Sequence, residues 1–121
     1  MNKITPLIVT RHPALIEWLA SRGVTGETIA HASEEAITGR VTVGVLPPAL
    51  MSVSAVHVNV DMRITPDMRG RELSLTDIEG ASPHAVAYCV TAINGAVPTC
   101  KIGRANLEKA REIVRVINGE S

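Results

Sequence analysis

Thr10, Arg11 and His12 stand together at the end of an apolar run, Leu7-Ile8-Val9, with Pro13 directly behind them. A planar guanidinium grips a phosphate through paired N–H donors, and an imidazole carries a proton near neutral pH. A neighbouring hydroxyl orients a phosphate or a sugar. The same residue types also suit a surface arginine and a histidine satisfied by a helix end, so their placement decides between the two. Pro13 suits the first turn of a helix, and a strand running into a helix presents backbone N–H groups and a positive dipole end to anions. The turn reads as a phosphate-handling corner.

Other polar groups are fewer. Val56, Val58 and Val60 alternate with His57, Asn59 and Asp61, so three polar side chains share one strand face. Such a face is solvated, or it lies against a partner subunit or a ligand. As metal ligands these three rarely close a coordination sphere, and the chain has no zinc-like His/Cys spacing and no Asp-x-Asp pair. A metal-independent site without a cofactor is expected. Gly39, Gly44 and Gly70 are isolated, which excludes the phosphate-loop and dinucleotide fingerprints. Arg63, Arg69 and Arg71 fall in one loop stiffened by Pro66 and Gly70, with Glu72 placed to pair with one of them. That loop is either a solvated face or a rim that contacts phosphate or base. The strand-Arg-His opening is shared with histidine phosphatases, but Pro13 replaces their glycine, and the downstream His and Arg they need have no matching context here.

The elements that must position these groups follow from hydrophobic period and punctuation. Strands are expected at 4–10, 27–32, 41–46 and 56–62, and a helix over 13–21 with Leu15, Ile16, Leu19 and Ala20 inward and Gly23 as its stop. Ser33 caps a brief helical turn over 34–38, and residues 49–54 form a short helical crossover behind Pro47-Pro48. Ser82-Pro83 predicts a helix start leading through 85–93, and 106–117 is an amphipathic helix closed by Asn118-Gly119. One more short strand is expected within 96–103. Alternating strands and helices give an α/β fold with a mostly parallel central sheet flanked by helices. Ligands of such sheets lie beyond the strand carboxyl ends, here Thr10-Arg11-His12, Leu46-Pro47 and Asp61-Met62-Arg63.

The 121 residues suit one domain with one core. With no Phe, one Trp and one Tyr, that core is aliphatic, and there is no aromatic platform for stacking bases. Twelve basic and twelve acidic side chains cancel, so no global field recruits long nucleic acid and any anion bound is small. Cys89 and Cys100 are too few for a disulfide scaffold and are expected to be reduced. No run approaches the length of a signal-peptide core or a membrane span, so the expected location is cytoplasmic.

Val9-Thr10-Arg11-His12-Pro13, Ile16-Glu17-Trp18-Leu19, Gly44-Val45-Leu46-Pro47, His57-Val58-Asn59-Val60-Asp61 and Met68-Arg69-Gly70-Arg71-Glu72-Leu73-Ser74 follow one another in this order. Together, over roughly residues 7 to 90, they resemble a small CRISPR-associated family, the sixteenth of the Csx series, found beside type III systems. Residues 83–118 are read from pattern alone, as helices. The resemblance implies a single Rossmann-like domain over 1–121, akin to the sensor domains that bind cyclic oligoadenylates (CARF-like), acting as a homodimer. It also implies a ring nuclease that cleaves cyclic tetra-adenylate and switches off antiviral signalling.

Under that resemblance the ribose 2′-hydroxyl attacks the adjacent phosphorus in line and leaves a 2′,3′-cyclic phosphate. Arg11 neutralises the phosphorane oxygens, His12 moves a proton at the nucleophile or the leaving oxygen, and Thr10 orients a phosphate or hydroxyl. Pro13, Leu46, Pro47, Asp61, Arg63, Arg69 and Arg71 are the expected ligand contacts. The same pocket would serve a sponge or sensor that holds the ligand uncut, and the polar strand face would serve an adaptor. His12 is the feature that favours the enzyme.

Overall fold

The computed structural model describes residues 4–93 and 102–119. The chain runs β1 (Leu7–Val9), α1 (Pro13–Ser21), β2 (Glu27–Ile29), α2 (Glu34–Ile37), β3 (Val41–Gly44), α3 (Pro48–Met51) and β4 (Val56–Asp61). A 3₁₀ turn (Pro66–Met68), α4 (Leu75–Gly80), β5 (His84–Tyr88) and α5 (Arg104–Ile117) complete it. The sheet order is β2-β1-β3-β4-β5, parallel throughout except for β5, which runs antiparallel to β4. This is the mostly parallel, helix-flanked α/β sheet expected. The winding starts at β1, turns one way to β2 and returns the other way to β3, so the order reverses between β1 and β3. A crevice opens beyond the carboxyl ends of two strands that diverge in this manner.

Strands covered on both faces read as unbroken apolar runs, and β1 and β3 are buried along their whole length. One face joins Ile8, Val41, Val43, Val56, Val58 and Val60 to Trp18 and Leu19 of α1, Ile78 of α4 and Ile113 of α5. The other joins Leu7 and Val9 to Ile37 of α2 and to Leu46, with Leu50 and Met51 of α3 packed against them. Each such side chain contributes about 1.5–3 kcal/mol by leaving water. Among the described residues the second layer does not extend to β5, where Val86 and Tyr88 stand 36% and 44% exposed.

The expected helix over 85–93 is instead a strand. The Ser82 N–H donates to the Glu79 carbonyl and so finishes α4, while Ser82 itself takes a φ of +50°. Ser82-Pro83 therefore ends one helix rather than starting another, and Pro83 leads into β5. Along β5, Ala85 is buried while His84, Val86 and Tyr88 face out, a period of two that an alanine-rich composition masks. Asn118, at the end of α5, locks this edge: its amide accepts from the Ala85 N–H at 2.7 Å and donates to the Ala85 carbonyl at 3.0 Å. The helix at 106–117 is present as α5, starting two residues earlier. The strand expected within 96–103 lies outside the described residues but for its last two. Cys89 is disulfide-bonded, against the expectation of a reduced thiol, and Cys100 lies outside the described residues.

Helix α4 was not expected, although its signal is in the chain. The Ser74 hydroxyl accepts from the Asp77 N–H at 3.1 Å, and the Asp77 carboxylate accepts from the Ser74 N–H at 2.8 Å. This is a capping box, readable as Ser-x-x-Asp.

The polar face of β4 divides in two. His57 is wholly buried, not solvated or held for a partner, whereas Asn59 is half-buried and Asp61 exposed. A carbonyl only accepts, so the His57 Nε2–H donates to the Gly44 carbonyl at 3.1 Å. Nδ1 is then left to accept from the Thr42 hydroxyl at 2.8 Å. Both ring nitrogens are satisfied in the neutral tautomer. Burial holds the ring below its ordinary value of 6.5, against a smaller opposing pull from the Gly44 carbonyl.

The unfolded chain takes up a proton near pH 6.5 that the folded chain refuses, so stability is full above that point and falls as pH drops below it. Urea midpoints measured between about pH 7.5 and about pH 5 should therefore decline. His57→Gln should be less stable at neutral pH and should show a flatter decline over the same interval. An unchanged slope in the variant would assign the pH dependence elsewhere.

Candidate functional site

A cleft of about 440 Å³ lies at the reversal point. Thr10, Arg11 and His12 follow β1 into it, Ala30, His31 and Ala32 follow β2, Val45, Leu46 and Pro47 follow β3, and Met62 follows β4. The strand-end arrangement expected for the first turn and for Leu46-Pro47 is present.

The first turn is tighter than a bare helix start. The Thr10 hydroxyl accepts from the His12 N–H at 3.1 Å, Pro13 has no N–H, and the Leu15 N–H is bonded to the His12 carbonyl. That leaves Ala14 as the first-turn N–H with no hydrogen bond to another described residue. Backbone donors are therefore scarce here, and attraction for an anion falls mainly to side chains. His12 is the N-cap of α1 in extended conformation, and its ring makes no capping bond. The imidazole is thus free to face the cleft, half-buried beside exposed Arg11.

Across the cleft, Arg11 Nη2 stands 3.3 Å from His31 Nδ1. A guanidinium only donates, so His31 Nδ1 presents a lone pair to it. The sequence reading did not single out His31. Its signal is register: Val9 pairs with Ile29, and two residues further on Arg11 stands level with His31. Registering the two opening strands would have found it.

The floor depends on Gly44, whose φ is +134°. A Cβ built there would lie 2.2 Å from the Val9 carbonyl oxygen. Only glycine lets the end of β3 approach the end of β1 so closely, and this approach delivers Val45, Leu46 and Pro47 to the rim. Leu46 is mainly a core residue, packed with Leu7, Val9 and Ile37, and only its edge reaches the cleft. Pro47 is an exposed N-cap of α3.

The remaining expected contacts stand outside this lining. Pro13 opens α1 behind His12. Asp61 is exposed and accepts from the Asn59 amide at 2.9 Å. Arg63 and Arg69 are exposed in the following loop. Arg71 is occupied: its guanidinium donates to both Asp77 carboxylate oxygens, at 2.7 and 3.2 Å, and to the Asp67 carbonyl at 2.9 Å. Its carboxylate partners are Asp77 and Asp67 rather than the expected Glu72, which offers only its carbonyl. The Arg71 guanidinium and the Ser74 N–H hold the Asp77 carboxyl well below the usual carboxylate range. Among the described residues no three His, Cys, Asp or Glu side chains come together as a metal site, and no helix is long and apolar enough to cross a membrane.

A family profile described as "Putative CRISPR-associated protein (Cas_VVA1548)" matches residues 7–91, which hold every element from β1 to β5 and the whole cleft lining. No curated protein and no solved structure matches the chain.

Gly44→Ala should lose at least ~1–3 kcal/mol of stability, from an unfavourable φ and from the contact with the Val9 carbonyl. Chemical denaturation checks this, and a wild-type midpoint would mean that β3 can retreat from β1 at no cost. Arg71→Ala should lower the melting temperature by releasing Asp77 from its clamp, and Asp77→Asn should lower it too. The double variant should fall by less than the sum of the two, because the residues are in direct contact.

Proposed function

The chain belongs to the Cas_VVA1548 family of CRISPR-associated proteins, and on that premise we propose that it is a ring nuclease acting on a cyclic oligoadenylate, most simply cyclic tetra-adenylate. The observation that carries this reading is the cleft at the β1/β3 reversal, where an exposed guanidinium, two imidazoles and a hydroxyl converge. A phosphodiester with a neighbouring 2′-hydroxyl needs few protein groups for cleavage. The nucleophile is the substrate's own, and the protein must hold it in line, neutralise the phosphorane and move protons. Arg11 suits the charge, His12 the proton, and Thr10, through the His12 N–H, the shape of the turn.

Size favours a pair of chains. The cleft is at the lower end of the ~300–1,000 Å³ usual for ligand sites, room for about one nucleotide and not for a ring of four. We therefore propose that a second copy completes the site across a two-fold axis. Val45, 65% exposed on the rim, and the partly exposed Val86 and Tyr88 of β5 are apolar groups such a partner would cover. Arg63 and Arg69 would then contact the outer phosphates or bases of the ring.

Incubation with cyclic tetra-adenylate in EDTA, under single-turnover conditions, tests the proposal. Linear products ending in 2′,3′-cyclic phosphate are expected, with His12→Ala slower by roughly 10²- to 10⁴-fold. Ligand that co-elutes with the protein uncut would make the chain a sponge or sensor instead.

A further inference from the structure

In-line attack by a 2′-hydroxyl needs two proton transfers, and His12 can serve only one of them at a time. We propose that His31 is the general base and His12 the general acid of the cleft. This assignment rests on reading the cleft as a ring-nuclease site.

Three observations lead to it. His31 reaches the cleft from the end of β2 and His12 from the end of the neighbouring β1, so two imidazoles carried by different strands line one cleft. His31 Nδ1 is oriented by Arg11 Nη2 at 3.3 Å, and because a guanidinium has no lone pair this nitrogen is an acceptor. His31 is also exposed, and among the described residues its ring bonds to Arg11 alone. Arg11 is the group that would seize a phosphate. When it turns to the phosphate oxygens, the lone pair it had engaged is left beside the ribose next to that phosphate. Anion binding and release of the base are thus one event.

The step balances. The 2′-oxygen bonds to phosphorus and gives its proton to His31 Nδ1. The bond from phosphorus to the 5′-oxygen breaks, and that oxygen takes a proton from the His12 imidazolium. The products are a 2′,3′-cyclic phosphate and a free 5′-hydroxyl, and the two histidines have exchanged protonation states without net gain or loss. Arg11, His12 and His31 are the charged or titratable residues that line the cleft; Glu34 and Glu35 of the adjacent α2 are exposed and outside the lining.

The test is single-turnover cleavage of cyclic tetra-adenylate in EDTA from about pH 5 to about pH 9, for the native chain, His31→Ala, His31→Gln and His12→Ala. Glutamine keeps an acceptor for Arg11 but moves no proton. The native chain should give a bell. Both His31 variants should bind the ligand yet cleave it roughly 10²- to 10⁴-fold more slowly, without the acid limb. His12→Ala should instead lose the alkaline limb. Native-like rate and both limbs in His31→Gln would reduce His31 to a rest for Arg11 and overturn the assignment. So would a loss in both His31 variants that is entirely loss of binding. A native chain that binds but never cleaves would sink the nuclease reading itself, and the base with it.

Discussion

The close approach of Gly44 to the Val9 carbonyl is the constraint on which the rest of this structure depends. It is possible only without a Cβ, and it sets the end of β3 against the end of β1 at the point where the winding reverses. His57 supports it from below. Its Nε2–H takes the Gly44 carbonyl, and its other nitrogen takes the Thr42 hydroxyl one strand over. A buried polar group left without a partner costs about 1–3 kcal/mol. The His57 ring, Thr42 and the Gly44 carbonyl satisfy one another, so that cost is avoided for all three. The strand that leads to the rim of the cleft is fixed by a polar network whose members never reach the ligand space.

From that constraint the site follows in order. β1 delivers Thr10, Arg11 and His12 because it is buried on both faces and must end where Pro13 turns the chain. β2 delivers His31 because it pairs in register with β1. β3 delivers Leu46 and Pro47 because Gly44 lets it come near. Three strands of three or four residues each thus place an arginine and two histidines around one cleft. None of those three side chains is tied into the core, which leaves them free to move toward a ligand. Arg71 shows the opposite condition: two carboxylates and two carbonyls engage it, and it braces the loop between β4 and α4.

Much of this was legible in the chain. The strand-turn-helix at Thr10 to Pro13, the buried β3 and the amphipathic α5 rest on local period and punctuation, and local signals survive folding. His57 was misjudged because alternation places a residue on a face without saying what covers that face. Among the described residues two short helices cover the β2-β1-β3 half of it and stop short of the β5 end, a distinction only the tertiary packing makes. β5 itself was hidden by alanine. Ala85 and Ala87 favour a helix by propensity, but β4 offered an edge, and Asn118, some thirty residues downstream, secured the other side. His31 was missed because its meaning lies in register with another strand. The family match covers the same stretch from β1 to β5 and says nothing further of α5.

The first turn of α1 also corrects a simple picture of how such a corner attracts anions. A strand-to-helix turn is expected to offer several backbone N–H groups to a phosphate. Here the Thr10 hydroxyl takes one, proline deletes another, and the His12 carbonyl takes a third. What remains is a helix dipole with few donors, so any attraction for an anion would rest on Arg11 and the imidazoles. That shift makes the site dependent on side-chain identity rather than on backbone shape. A lysine at position 11 would keep the charge but lose the planar fork, and with it both the paired donors that suit a phosphate and the directed contact to His31 Nδ1. In a cleft built this way, charge alone is not enough: the planar fork of one guanidinium is what fixes the contact to a particular nitrogen of His31.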